Sequence, residues 1–257
     1  MINKDSGFVL KRHNFRETSL LVTVYTKDYG KIKGILKGFY TKKKEFSSSL
    51  DILSQNEFVF YPKRSEIWLI SGVDLIEYYG FIRNNISKAR VAAVFQEIID
   101  RTMQLWDRNQ YIFKLTEDCL KLMAEEDELK VLYIFLIKFL TFSGFKPEFN
   151  HCIKCNGLLR QESLFSVSKG GFVCGGCQRT LKDVRRVSSE VTRSLYYIQE
   201  ADFPIVQRLG ISYKCEEEIF YILREFIAYH LEFDLLAKYD LHRKSRIFIR
   251  QEICPKS

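Results

Sequence analysis

The chain has 257 residues, 46% of them hydrophobic and 28% charged, which supplies apolar material for one large domain or two to three small ones and excludes a low-complexity or disordered protein. Its formal net charge of +8 favours a polyanionic partner. The most hydrophobic run, Val131 to Phe142, contains Lys138 and is far short of the ~20 apolar residues of a membrane span, so no membrane partner is expected.

The chain opens on "MINKDSGFVLKRHNFRETS", which lacks the apolar core of a secretory signal. A cytoplasmic location with reduced cysteines is therefore expected. Residues 1–80 then read as five strands: "GFVLKRH", "SLLVTVYT", "KIKGILKG", "NEFVFYP" and "EIWLISGVDLIEYY", rich in β-branched and aromatic residues and separated by turn material. Five short strands in that length fit a closed OB-fold barrel, with an SH3-like barrel as the alternative. Between Lys27 and Lys44 lie seven lysines (27, 31, 33, 37, 42, 43 and 44) against one acid, Asp28. Lys31 and Lys33 share one strand face, and Lys37 keeps that parity unless Gly34 marks a bulge. Lys42, Lys43 and Lys44 sit beside Phe39, Tyr40 and Phe46, a mixture of phosphate-holding and base-stacking groups suited to single-stranded nucleic acid.

From about residue 81 the period becomes helical. "SKARVAAVFQEIIDRTMQLW", "NQYIFKLTEDCLKLMAEE" and "ELKVLYIFLIKFLTFSG" place apolar residues at three- and four-residue intervals. Lys114, Lys121, Lys130 and Lys138 lie beside these apolar faces.

The next module holds Cys152/Cys155 and Cys174/Cys177, two Cys-x-x-Cys pairs separated by 18 residues. Each pair makes a knuckle that presents two sulfurs on one side, and two knuckles complete a tetrahedral zinc site. Four thiolates leave no position for water, so the expected zinc ion is structural. With four thiolates and the ion the net charge would fall to about +6, still basic. Gly170 and Gly171 permit a hairpin turn between "LFSVS" and "FVC". His151 is read as a bystander, and Cys119, Cys215 and Cys254 as non-ligands. A basic cluster, Arg179, Lys182, Arg185 and Arg186, follows the module, and another, Lys238, Arg243, Lys244, Arg246 and Arg250, lies near the C-terminus.

Two further helices, "SSEVTRSLYYIQEAD" and the long "EEEIFYILREFIAYHLEFDLLAKY", close the chain, the second with acids at its start and His230 among apolar residues. The division is then a barrel over 1–80, a helical domain in two parts over 81–148 and 184–257, and the cysteine module over 149–183. The fold class is α+β, multidomain. No P-loop, G-x-G-x-x-G, H-E-x-x-H or G-x-S-x-G occurs, and a non-enzymatic role is expected.

Three stretches in this order, "VLKRHNFRETSLLVTVYTKDYGKIKGILKG", "SGFKPEFNHCIKCNG" and "KSRIFI", resemble the RecO family of bacterial recombination mediators nearly end to end. After Gly38 the chain departs from that pattern, with lysines in "FYTKKKEF" where the family has small and arginine-rich residues; lysine keeps the charge but loses the bidentate fork. The resemblance implies an OB-fold that binds single- and double-stranded DNA, pairing with RecR, displacement of the single-stranded-DNA-binding protein through its C-terminal tail, strand annealing, RecA loading and a place at the nucleoid. The candidate DNA-binding residues are Lys11, Arg12, Lys31, Lys33, Lys37, Lys42, Lys43, Lys44, Arg185 and Arg186. A zinc-containing nucleic-acid enzyme and a zinc-ribbon transcription or translation factor are the alternatives.

Overall fold

The computed structural model describes residues 2–41, 50–159, 163–178, 181, 183–239 and 241. Lys42 to Lys44, Phe46, Arg179, Lys182, His242, the basic residues 243–250 and Cys254 lie outside the described residues. The chain divides into two compact units, Met1–Ala124 and Glu125–Ser257.

In the first unit, β1 (Asn3–Phe15), β2 (Ser19–Thr26), β3 (Gly30–Leu36), β4 (Gln55–Tyr61) and β5 (Ile67–Glu77) close a barrel in the order β1-β2-β3-β5-β4. The pairing of β3 with β5 is parallel and all others are antiparallel, which is the OB arrangement, not the SH3-like alternative. Period-2 alternation turns Ile32 and Leu36 of β3 inward to a core shared with Val9, Val22, Val24, Phe58, Phe60 and Trp68, and Lys31 and Lys33 outward. Gly34 faces the interior without a register shift in the β2–β3 ladder; a Cβ there would lie 2.2 Å from Ile70 Cδ1. A bulge in β1 between Val9 and Lys11 lets Phe8, Val9 and Leu10 all be buried and sends Lys11 to the surface.

Helices α1 (Gly80–Arg83), α2 (Ile86–Thr102) and α3 (Gln110–Leu122) belong to this unit. Asn85 caps α2 by accepting from the Ser87 and Lys88 amides, and Asn109 caps α3 by accepting from Ile112. The segment between α2 and α3 is fastened to the barrel by main-chain groups. Trp106 N donates to Lys31 O at 2.8 Å, and the Tyr25 hydroxyl donates to Asn109 O at 3.2 Å. Gly30, with φ of +65°, lies so close that a Cβ would meet Asp107 O at 2.3 Å.

The second unit contains α4 (Glu128–Phe142), the sheet β7-β6-β8 made of β6 (Ser163–Ser166), β7 (Gly171–Val173) and β8 (Val184–Val187), and α5 (Ser189–Glu200), α6 (Phe203–Val206), α7 (Tyr213–His230) and α8 (Leu235–Lys238). Helix α4 is buried on nearly every side and packs on α5 and α7. The "LFSVS"–"FVC" hairpin forms as β6 and β7, while β8, holding Arg185 and Arg186, is a strand that sequence periodicity did not reveal. The long last helix is two. Helix α7 starts earlier than the glutamates, at Tyr213 with Ser212 as its cap, and ends at His230. Glu232 then adopts φ of 61°, and the Asp234 carboxylate caps α8 while accepting from Arg224. Among the described residues no helix is long and apolar enough to cross a membrane.

Candidate metal centre and nucleic-acid interface

The two knuckles meet. Ligand atoms of Cys152, Cys155, Cys174 and Cys177 all lie within 4.8 Å of one another, and Cys155 Sγ is 3.8 Å from Cys174 Sγ. A tetrahedron with metal–sulfur bonds of ~2.3 Å has sulfurs about 3.8 Å apart, so the group has the dimensions a metal requires. The local backbone explains the geometry. Asn156 N donates to Cys152 O and Cys177 N to Cys174 O, closing one tight turn per knuckle, and Asn156 takes the left-handed φ of 57°. Ile153 N donates to Phe172 O and Phe172 N to Glu148 O, which pins the first knuckle to the hairpin. Gly171 allows that approach, since a Cβ would lie 2.7 Å from Ile153 Cγ2.

Cys152 is buried, Cys155 exposed, and the other two are intermediate. Burial raises the Cys152 pKa, but amide donation from Cys174, Cys155 and Lys154 outweighs it and brings the thiol down to about 6. Cys177 is pushed up to about 12, chiefly by side-chain hydrogen bonds with Cys174 and Cys155. The amides aimed at Cys152 favour the thiolate that binds metal. His151 stays outside this group, with Nδ1 3.8 Å from Glu148. Cys119 and Cys215 are buried elsewhere. His230 is a boundary histidine: Nε2 bonds Val167 O at 2.8 Å and its ring lies 4.2 Å from that of Phe226.

On the barrel, register builds one outward face. Lys11, Thr23, Lys33 and Ile67 form a cross-strand row, and His13, Leu21, Ile35 and Leu69 form the next. The cations on it have internal partners. Lys11 pairs with Asp100 and Lys33 with Glu66 at 3.3 Å, while Arg12, in the alternate row opposite Val22, pairs with Asp51 at 3.2 Å. Lys31 donates to Asp100 O at 2.7 Å, and burial holds its ammonium below the ordinary 10.5, with Asp100 opposing. Lys37 lies past the end of β3 and is exposed. Arg185 and Arg186 are both exposed on β8, and Arg185 pairs with Glu225 and sits 5.4 Å from the Tyr221 ring centroid.

Two residues, Phe15 and Asp100, escaped the sequence reading. Phe15 is an exposed aromatic at the end of β1, with Arg16 5.3 Å from its ring centroid, and Tyr40, expected as a stacking aromatic, is exposed and its OH bonds Asn14 Oδ1. Asp100 carried no signal, because nothing local marks which acid of an amphipathic helix will face a lysine on a distant strand. Each of the four helix lysines has a partner within its own unit. Lys138 is buried and donates to Ala201 O at 2.6 Å, while Lys114, Lys121 and Lys130 pair with acids on their own turns, Lys114 with Asp118 at 2.8 Å, Lys121 with Glu117 and Lys130 with Glu126.

With barrel, helices and cysteine cluster placed, comparison with known families decides the relationship. A model of the recombination protein O N-terminal domain matches residues 1–79, and one of its C-terminal domain matches residues 83–238. The chain belongs to the RecO family. Proteins described as DNA repair protein RecO align along nearly their whole length. That of Alkaliphilus metalliredigens is 26% identical over 90% of this chain and 95% of its own. That of Caldicellulosiruptor saccharolyticus is 29% identical over 90% and 94%. That of Halalkalibacterium halodurans is 27% identical over 98% and 95%. The chain is therefore a member of a DNA repair family built on an OB-like barrel, with a helical C-terminal region and a four-cysteine group able to bind a metal.

Proposed function

We propose that this RecO-family chain is a recombination mediator with no catalytic chemistry of its own. It binds single- and double-stranded DNA, anneals complementary strands and, together with RecR, helps RecA load on DNA covered by the single-stranded-DNA-binding protein, whose C-terminal tail it engages. The observation that carries this reading is the outward barrel face bearing Lys11, Lys31 and Lys33 in a chain matched over residues 1–79 and 83–238 by the family's two models. Cations on an OB face hold phosphates irrespective of sequence, as an annealing protein requires. Arg12, Lys37, Lys42, Lys43, Lys44, Arg185 and Arg186 extend the set. Cys152, Cys155, Cys174 and Cys177 would hold one structural zinc ion, and the working parts are residues 1–80, 81–148, 149–183 and 184–257.

The test is annealing of complementary strands coated with the single-stranded-DNA-binding protein, with and without its C-terminal tail. Annealing without nucleotide hydrolysis, lost on coated strands when the tail is removed, is the expected result. Divalent-metal-dependent strand cleavage would instead identify an enzyme, and preference for a promoter or RNA a transcription or translation factor.

A further inference from the structure

Between the outer face of β1–β3 and the C-terminal end of α2 lies a groove of about 540 Å³, whose lining includes Lys11, His13, Thr23, Lys31, Lys33 and Asp100. Its polar rim suits a sugar–phosphate backbone. Yet its charge is largely spent internally: three lysines face two carboxylates, Asp100 and Glu66. These carboxylates differ. The Glu66 side chain is 64% exposed and its pairing with Lys33 is open to water and salt, whereas Asp100 is only 9% exposed and lies between Lys11 and Lys31.

Resting on the DNA-binding reading above, we infer that Asp100 sets the affinity of this groove: its carboxylate occupies, beside Lys11 and Lys31, the place a DNA phosphate would take, and so holds the attraction for the backbone low. A protein that delivers strands to one another must also release them. A fixed internal anion achieves this, because each arriving phosphate must compete with it for the same ammonium groups and is repelled by it as well.

The carboxylate is not alone in fastening the helix to the barrel. Lys31 Nζ donates to the main-chain oxygen of Asp100, Trp106 N to Lys31 O and Tyr25 OH to Asn109 O, and none of these bonds uses the Asp100 side chain. Asp100→Asn should therefore fold while removing the competing charge.

The experiment uses the full chain and a labelled single-stranded oligothymidylate, with anisotropy read across salt concentrations. Each further phosphate neutralised by the protein steepens the salt slope by about 0.7, which makes Asp100→Asn about eightfold tighter than the natural chain at ~50 mM salt and about threefold at ~200 mM. Glu66→Gln should give a smaller increase, and the increase from Asp100→Asn should vanish in a Lys11→Ala background. Equal affinity and slope for Asp100→Asn and the natural chain would overturn the inference while leaving DNA binding intact. If the natural chain fails to bind at any salt, the functional reading itself falls, and this inference with it. Should Asp100→Asn melt early, the same salt titration is run well below its melting transition, where the chain is folded: binding tighter by these factors with a steeper slope supports the inference, and affinity and slope equal to the natural chain's overturn it.

Discussion

Removing metal from the cysteine module with a chelator should release the knuckles and leave the hairpin in place. Two kinds of force act in this small region. Among the described residues around the sulfurs, Cys152, Leu164 and Val173 are buried, with partly covered neighbours, so the two aliphatic side chains contribute about 3–6 kcal/mol at ~1.5–3 kcal/mol each. A structural zinc with thiolate ligands contributes about 10–16 kcal/mol in small zinc domains, so a bound ion would be the main support of the knuckles. The hairpin has separate support. Phe149, Phe165 and Phe172 are fully buried with centroids 5.3–6.2 Å apart, and Phe165 lies 6.4 Å from Phe226 of α7. These three rings supply a further ~5–9 kcal/mol that does not depend on metal. After chelation, hydrogen exchange should speed up in peptides holding the Cys152, Asn156 and Cys177 amides, while Leu164 to Ser166 and α7 stay protected. About one equivalent of zinc should be released per chain. Cys174→Ser should reproduce this pattern and lower stability more than DNA affinity in the folded fraction. Unchanged exchange at the knuckles, or equal loss across the hairpin and α7, would refute this division of forces.

If about six cations meet phosphates of a single strand, the salt slope is near −4, a loss of roughly 300-fold between ~50 and ~200 mM. Replacing Lys42, Lys43 and Lys44 together by Ala should flatten it, and an unchanged slope would remove that segment from the interface. Gly30→Ala forces a Cβ against the Asp107 backbone at a φ of +65°, and should cost at least about 2 kcal/mol, a Tm drop on the order of 5 °C by thermal melting. An unaltered Tm would mean the α2–α3 segment does not bear on β3. Asp183 accepts hydrogen bonds from Ser168 and Ser166, which hold its carboxyl below the ordinary 3.8. Its folded value being the lower one, this contribution is present above about pH 4 and is lost as pH falls through the folded value. Asp183→Asn should therefore be less stable than the natural chain at neutral pH, with the difference shrinking as pH falls below about 4; a difference that persists unchanged through that range would count against it.

Sequence by itself determined what is encoded by near neighbours. Alternation in "KIKGILKG" fixes which of its residues face a core, because side chains of an extended strand alternate by geometry. The Cys-x-x-Cys spacing fixes each knuckle, because its turn closes within four residues, and the helical period placed α2 to α5 close to their observed bounds. Closure in the OB order, with β3 parallel to β5, and the docking of α1 to α3 in the unit that ends at Ala124, depend on contacts between distant segments. Charges were the least legible. Lys138 reads as solvated until packing buries it against the Ala201 carbonyl, and Lys11 and Lys31 read as free until Asp100 is brought between them. A charge in a sequence has a sign but no environment; only tertiary packing supplies its partner and its distance from water, and these set what it can do.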